Sequence, residues 1–287
     1  MKAKSVSLTG ANLTGAQAKG ADFQEATAQE ASMIGADLRD CDLTNANLTG
    51  STLTNTDLRG ANLSGATLVG LASVQGAKFW NTRLSERGHD PAALQAEGFS
   101  FLQLVDSGYR YTFRFEGVAF GAGVLYQIGT AGGTREYQNP HVTGDVQVTS
   151  SSLRSGNIEH FVAHSSPNSG TYTDDTRNSW FMVDLKEPHR LEVTHYCLRH
   201  GYSNGSFRLR NWRLEGSNDG NNWTTLRNHN NDQSLPDSGY SEAGWAVDGC
   251  DPGGYRFLRI FQHGYDSSGY HHLMCSGIEF YGVLKGA

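Results

Sequence analysis

From Val6 to Gly70 the apolar positions recur every five residues. A small residue occupies the first position (Ala11, Ala16, Ala21, Ala26, Ala31, Ala36, Cys41, Ala46, Ser51, Thr56, Ala61 and Ala66). Two residues later a larger one follows in most repeats, as in Leu8, Leu13, Phe23, Met33, Leu38, Leu43, Leu48, Leu53, Leu58, Leu63 and Leu68. Asn or Asp stands between them in Asn12, Asp22, Asp37, Asp42, Asn47, Asp57 and Asn62. A period of five matches neither the 3.6 of a helix nor the 2.0 of a strand. It predicts a solenoid with four short sides per coil, each side sending one small and one larger residue inward and each coil burying them against its neighbours. Ala18 and Ala28 at the larger position predict a thinner core in the early coils.

A second spacing follows, of ten residues. Leu84, Leu94 and Leu104 are each followed four residues later by Gly88, Gly98 and Gly108, and then by His89, Phe99 and Tyr109. Each unit reads as one short helix ended by glycine, with a ring folding back, and Asp90-Pro91 is a good cap and first-turn pair. Helices this short must pack on a neighbour. Phe79 and Trp80 are placed to cap the open apolar end of the solenoid.

Beyond Tyr111 the texture changes to short alternating segments between Gly, Asn, Ser and Asp clusters, which predicts an all-β sandwich or barrel. Strands are expected at Tyr111–Gly117, Val124–Ile128, Asp145–Thr149, Trp180–Leu185, Leu191–Arg199, Arg208–Gly216, Trp223–Arg227, Arg256–Gln262 and Ser276–Tyr281. The stretch Asn211–Leu226 reads as a hairpin, because Asp219-Gly220 can adopt the positive φ angles of a tight turn. Trp180, Trp212, Trp223, Leu214, Phe257, Ile260 and Phe280 are expected in the core.

Two resemblances go further than the patterns. The repeats ADLRD, ANLTG, TDLRG and ANLSG resemble the pentapeptide-repeat family, which implies a right-handed quadrilateral β-helix of slightly more than three coils. The ordered segments SWFMVDL, LEVTHYCLRHG, RNWRLEGSNDGNNWTTL and YRFLRIFQHGYDSSGYHHLMCSGIEFYG resemble a discoidin-like (coagulation factor C-type) domain. They are most similar to the intracellular branch in BTB-domain proteins and a HECT-type ubiquitin ligase, which shares YQIGT at Tyr126–Thr130 and the Tyr137–Pro140 motif. That resemblance implies a jelly-roll sandwich that binds through loops at one end, without catalysis. The expected organisation is therefore all-β: a pentapeptide solenoid at 1–76, a short helical connector at 77–110 and a discoidin-like sandwich at 111–287.

Composition narrows the function. The chain has 287 residues, a formal net charge of −6, 35 glycines and 6 prolines, and a mean hydropathy of −0.49. This balance is not biased toward nucleic acid or anionic lipid, and neither a membrane nor a nucleic-acid partner is expected. The first residues carry lysines without a following apolar core, so no secretory signal is expected. Lys2, Lys4, Lys19, Arg39 and Arg59 nearly offset the acids of the repeats, and three coils span only about 15 Å at the strand spacing, too short and too neutral for a mimic of DNA. Cys41, Cys197, Cys250 and Cys275 match no zinc spacing and read as free thiols in a cytoplasmic protein.

Neither metal, cofactor nor catalytic centre is expected. His160 and His164 lack a third ligand, and His271-His272, like His195 and His200, diverge on a strand. Asp184 reads as a strand terminator, and Asp174-Asp175 lie in a loop. Three loops are rich in Tyr, Asn, Ser, Gly and Asp: Ser165–Ser179, His200–Ser206 and His263–His272. That composition suits adaptable recognition. The candidate ligand-binding residues are Tyr202, Asn204, Tyr265, Asp266, Tyr270 and His271. The function expected is a non-enzymatic scaffold that binds protein partners, extending to a structural role in a large cytoskeletal or ciliary assembly; a carbohydrate-binding module is the alternative.

Overall fold

The computed structural model of the chain describes residues 5–118, 120–166, 170–249 and 251–286, so Lys2, Lys4 and Cys250 lie outside the described residues. Two compact units emerge, one formed by Met1–Tyr111 with Lys285–Ala287 and the other by Thr112–Leu284.

In the first unit the five-residue pattern becomes a coil because each repeat closes a β-turn. Ala16 N–H donates to the Leu13 carbonyl at 3.0 Å, and Gly15 between them takes φ 68°, the conformation such a turn requires of its third residue. The Asn or Asp before each large residue has a mechanical role. The Asn12 side chain accepts the Thr14 N–H at 3.0 Å, and Asp42 accepts that of Thr44 at 3.0 Å, so the side chain holds the corner as an Asx turn. Successive coils pair in parallel, Asn12 with Ser32, Ser32 with Thr52 and Thr52 with Ser73. The last step is 21 residues instead of 20. The coil absorbs one extra residue near Leu71 and the register continues to Lys78, which pairs with Asp57, so the solenoid outlasts the pattern that stops near Val69.

Leu48, Leu53, Leu58 and Leu63 are fully buried on the solenoid axis, whereas Leu8, Leu13 and Phe23 at the first coil are only partly covered. At the other end Phe79, Leu84, Leu94, Phe99 and Leu104 join the same core. A 3-10 turn at Leu84–Arg87 precedes helices α1 (Pro91–Ala96) and α2 (Phe101–Asp106). Asp90 caps α1 through the Ala93 N–H, and Ser100 and Gln103 form a reciprocal capping box on α2. Gly98 and Gly108 take φ 91° and 102° just past the helix ends, and the Phe99 and Tyr109 N–H groups return to the Leu94 and Leu104 carbonyls, each at 3.1 Å. Phe99 meets Phe79 with ring centroids 4.6 Å apart. Trp80 stays exposed, so Phe79 does the capping.

The second unit is a sandwich. Strands are β1 (Tyr111–Phe113), β2 (Gln147–Ser150), β3 (Trp180–Asp184), β4 (His189–His200), β5 (Trp212–Ser217), β6 (Thr224–His229), β7 (Glu242–Ala246), β8 (Phe257–Gln262) and β9 (Cys275–Gly286). They form a four-stranded sheet in the order β1-β9-β4-β7 and a five-stranded sheet in the order β2-β3-β8-β5-β6. The hairpin at β5 and β6 forms as the sequence predicts, with Gly220 at φ 72°. The Asp219 carboxylate accepts the Asn221 and Asn222 N–H groups at 2.8 and 2.7 Å, and these bonds hold it far below the usual carboxylate range.

One expected strand is a helix. Val124–Gly129 forms α3 because Glu279 of β9 reaches its first turn, accepting the Leu125 and Tyr126 N–H groups at 2.8 and 2.9 Å. Burial pushes the Glu279 carboxyl up to about 8, against the downward pull of three N–H donors. Gly123 admits this carboxyl, since a Cβ there would lie 2.3 Å from the Glu279 side chain. β7 has no counterpart among the predicted strands.

A polar network locks the two sheets together. Trp212 of β5 donates its Nε1–H to the Tyr196 hydroxyl of β4 at 3.0 Å, and that hydroxyl donates to His229 Nε2 of β6 at 2.7 Å. His229 Nδ1–H donates to Asp232 at 2.6 Å, and the same carboxylate takes the Trp245 Nε1–H of β7 at 3.2 Å. Trp212 and His229 stack at 3.9 Å. Burial holds His229 below its ordinary value and Tyr196 well above. At the end of β4, His200 is buried too, with Nε2–H donating to the Asn204 carbonyl at 3.0 Å and desolvation lowering it to about 4.

Two outcomes follow from this packing. Leu53→Ala should cost about 2–5 kcal/mol in urea unfolding, while Leu8→Ala at the half-covered first coil should cost clearly less; equal losses would contradict the graded core. Unfolded His200 binds a proton near 6.5 but folded His200 only near 4, so its contribution is intact at neutral pH and is lost as pH falls below 6.5. Between pH 7 and 5 the wild type should therefore lose about 2 kcal/mol more than His200→Gln, at about 1.4 kcal/mol per pH unit, read from urea midpoints at the two pH values.

Candidate functional site

The end of β4 sets the geometry of the loop end. Gly201 exchanges backbone hydrogen bonds with Thr171 and Met274, and a Cβ there would lie 2.5 Å from the Thr171 carbonyl oxygen and 2.6 Å from the Cys275 nitrogen. Only glycine lets three segments converge so closely. Arg199, just before, is buried, donating Nε–H to Glu242 at 2.7 Å and Nη2–H to the His164 carbonyl at 2.9 Å. The Arg-His-Gly motif thus organises the loops without forming a ligand surface itself.

The loop after β4 and the loop after β8 are joined. The Phe207 and Arg208 N–H groups donate to the Ser268 and Ser267 hydroxyls at 3.0 and 2.9 Å, and Ser267 N–H returns to the Arg208 carbonyl at 2.9 Å. Asn211 ties a third segment, donating to the Tyr265 carbonyl at 2.8 Å and accepting the Asn231 N–H at 2.9 Å.

On this frame the six candidate residues come together, in unequal roles. Tyr265 and Tyr270 are 52% and 46% exposed. The Tyr265 ring lies 4.5 Å from that of His271, and His271 donates its backbone N–H to Asp175 at 2.7 Å. Tyr202 packs edge-on to Phe207 at 5.9 Å, and Phe207 reaches Tyr270 at 5.7 Å. Asn204 is exposed, yet its side chain is engaged with the Ser206 N–H at 2.8 Å. Asp266 is only 6% exposed; its Oδ1 accepts the Ser268 and Tyr270 N–H groups at 2.7 and 3.1 Å, building the turn that presents Tyr270. Burial raises its carboxyl above the usual range.

Phe207, His272, Tyr172 and Asp175 complete the surface and are missing from the sequence-based set. His272 meets Phe207, Tyr270 and Tyr172 at 5.9, 5.7 and 5.5 Å. Phe207, an apolar residue among turn formers, was the one legible signal. His271 and His272 lie in the loop before β9 and point to different partners: His271 faces Asp175, while His272 Nδ1–H donates to the Thr173 carbonyl at 3.1 Å; His160 and His164 meet Thr171 and the Phe120 carbonyl. Asp184 accepts the Lys186 N–H at 2.7 Å and pairs with Arg256. Among the described residues no group of three His, Cys, Asp or Glu side chains could hold a metal ion, and no helix is long and apolar enough to cross a membrane. Cys41 and Cys275 are buried free thiols, and Cys197 is buried as well.

Residues 7–45 and 41–85 match the family model for pentapeptide repeats, and residues 147–272 match that for the F5/8 type C domain. An E3 ubiquitin-protein ligase, Ufd4 of Drosophila melanogaster, is 40% identical over 170 residues, which is 57% of this chain but 6% of that protein. A BTB/POZ domain-containing protein of Arabidopsis thaliana is 31% identical over 174 residues, 57% of this chain and 21% of that one. The chain therefore spans only a small part of either relative. Among solved structures, a pentapeptide repeat protein from Nostoc is 37% identical, covering 28% of this chain and 71% of that one with a TM-score of 0.27. A carbohydrate-binding module from Clostridium perfringens, solved with GalNAc-β-1,3-galactose, is 13% identical, covering 48% and 96% with a TM-score of 0.38. This chain carries pentapeptide repeats followed by a discoidin-like F5/8 type C domain.

Proposed function

We propose that this chain is a non-enzymatic binding protein whose sandwich engages a partner protein through the loop end, with the solenoid as a rigid docking block in its own right. The observation that carries the reading is the joining of the loops at 202–208 and 265–272 into one surface. Tyr265 and Tyr270 are exposed on it, yet their backbones are pinned by Asn211 and Asp266. Exposed rings held on a preorganised frame contribute contact area at little ordering cost. The solenoid is preorganised in the same sense, because every coil is hydrogen-bonded to its neighbours.

The buried free thiols of Cys41 and Cys275 support an intracellular, reducing setting. No residue of the chain points to a cytoskeletal or ciliary assembly. The ligase name belongs to the relative, and no ligase activity is proposed for this chain. A carbohydrate ligand is the second reading, favoured by an exposed tyrosine ring beside the His271–Asp175 pair, since sugars take ring stacking together with planar hydrogen-bonding groups.

Cross-linking and mass spectrometry with the full chain as bait would identify the partner. The double variant Tyr265→Ala/Tyr270→Ala should then weaken its binding by at least about tenfold, the range of aromatic anchors, with an unchanged urea midpoint. Undiminished binding by that variant would remove the loop end as the site, and binding on a glycan array that the same variant abolishes would favour the second reading.

A further inference from the structure

The five-stranded sheet has one face buried in the sandwich and one turned outward. Trp180, Trp223 and Phe257, expected in the core, lie on or beside the outward face and are only partly covered, whereas Trp212, Leu214, Ile260 and Phe280 are fully buried. The register defines two cross-strand rows on that outward face. Trp180 of β3 faces Phe261 of β8, which faces Arg213 of β5; two residues along, Met182 faces Arg259, which faces Glu215.

The arginines stand over rings. The Arg213 guanidinium stands 5.0 Å from the Phe261 centroid, and that of Arg259 stands 3.8 Å from Trp223 and 4.9 Å from Phe261. Both ion-pair with the same carboxylate: Arg213 Nε meets Glu215 Oε1 at 2.9 Å, and Arg259 Nε meets Oε2 at 2.7 Å. Glu215 is buried beneath them. One carboxylate thus serves two guanidiniums, leaving an excess positive charge. Among the described residues no hydrogen bond engages the terminal Nη groups of either arginine. Arginine and tryptophan together, with an unmet charge at the centre, are the composition of an interface hot spot.

We propose that this face is a second docking site, taking a short acidic peptide segment of a partner protein. Size argues for a segment instead of a second copy. Five strands about 4.8 Å apart make a patch on the order of 20 Å wide, and two rows give it an area of a few hundred Å² at most, against the roughly 800 Å² per partner of a stable interface. Spacing argues for an extended peptide. Arg213 and Arg259 are diagonal neighbours on β5 and β8 at about 7–8 Å, close to the two-residue repeat of an extended chain at about 3.4 Å per residue, and Trp180 lies in the Arg213 row two strand spacings, about 10 Å, away. Carboxylates at positions one and three would meet the two guanidiniums, and an apolar side chain at position five would cover Trp180.

The test uses the full chain, isotope-labelled, titrated with the blocked peptide Glu-Ser-Glu-Ser-Leu-Ser-Leu and followed by NMR. The Trp180 and Trp223 indole resonances should shift saturably. The analogue with Gln for both Glu should bind about tenfold more weakly or worse, as expected when charge-assisted bonds are lost. Met182→Glu, which adds a like charge while leaving the Glu215 pairs in place, should weaken binding similarly with an unchanged urea midpoint; Arg213→Gln serves if that variant unfolds. Tyr265→Ala should leave binding unchanged. No shift at millimolar peptide, equal binding of the Gln analogue, or tighter binding of an oligothymidylate at the same indoles would each overturn the proposal.

Discussion

The sandwich depends on one buried polar network. Trp212 and His229 come from the five-stranded sheet, Tyr196 and Trp245 from the four-stranded sheet, and Asp232 closes the circuit from a loop. Each polar atom of the network found its partner, so the desolvation cost of burying a phenol, an imidazole and a carboxylate is offset by hydrogen bonds strengthened by their surroundings. Removing one member would leave the others unpaired in a dry interior, which costs more than the bond itself contributed. Tyr196 and His229 are both enclosed within the sandwich.

The loop end inherits its rigidity from that lock. β4 carries Tyr196 into the network and, four residues on, His200 and Gly201 into the convergence point of the loops. β5 begins with Trp212 in the network, and Asn211 immediately before it ties down the Tyr265 loop. Aromatic side chains on the two surfaces of the unit therefore do different jobs. Rings at the loop end are presented on pinned turns, whereas those on the outward sheet face support arginines that share a single carboxylate.

The solenoid rests on a different constraint. Its repeat is satisfied locally, with a positive-φ corner, an Asx side chain holding that corner and a small residue where four sides meet. The same locality leaves the ends as the weak points. Glu97 accepts the Gly70 and Leu71 N–H groups at 2.7 and 3.0 Å, and Gln103 donates to the Val74 and Ala77 carbonyls at 3.0 and 2.8 Å, so the connector helices satisfy the last coil where a further repeat would otherwise be needed.

The solenoid, the glycine-ended connector helices and most strands were legible in the sequence, because each is decided within a few residues by turn chemistry and periodicity. Tyr265 and Tyr270 were legible as exposed loop rings for the same reason. Contacts between distant segments decided the rest. Val124–Gly129 is a helix because Glu279, more than 150 residues away, caps it. Asp266, read as a ligand group, is instead a buried turn former. Trp180 and Phe257, apolar enough for a core, ended outside it because strand alternation allots every second side chain to the opposite face, and Trp223 stands just before β6 and is likewise only partly covered. Which face met the other sheet was settled by the pairing of β3, β8 and β5, a long-range choice that no local window of sequence contains.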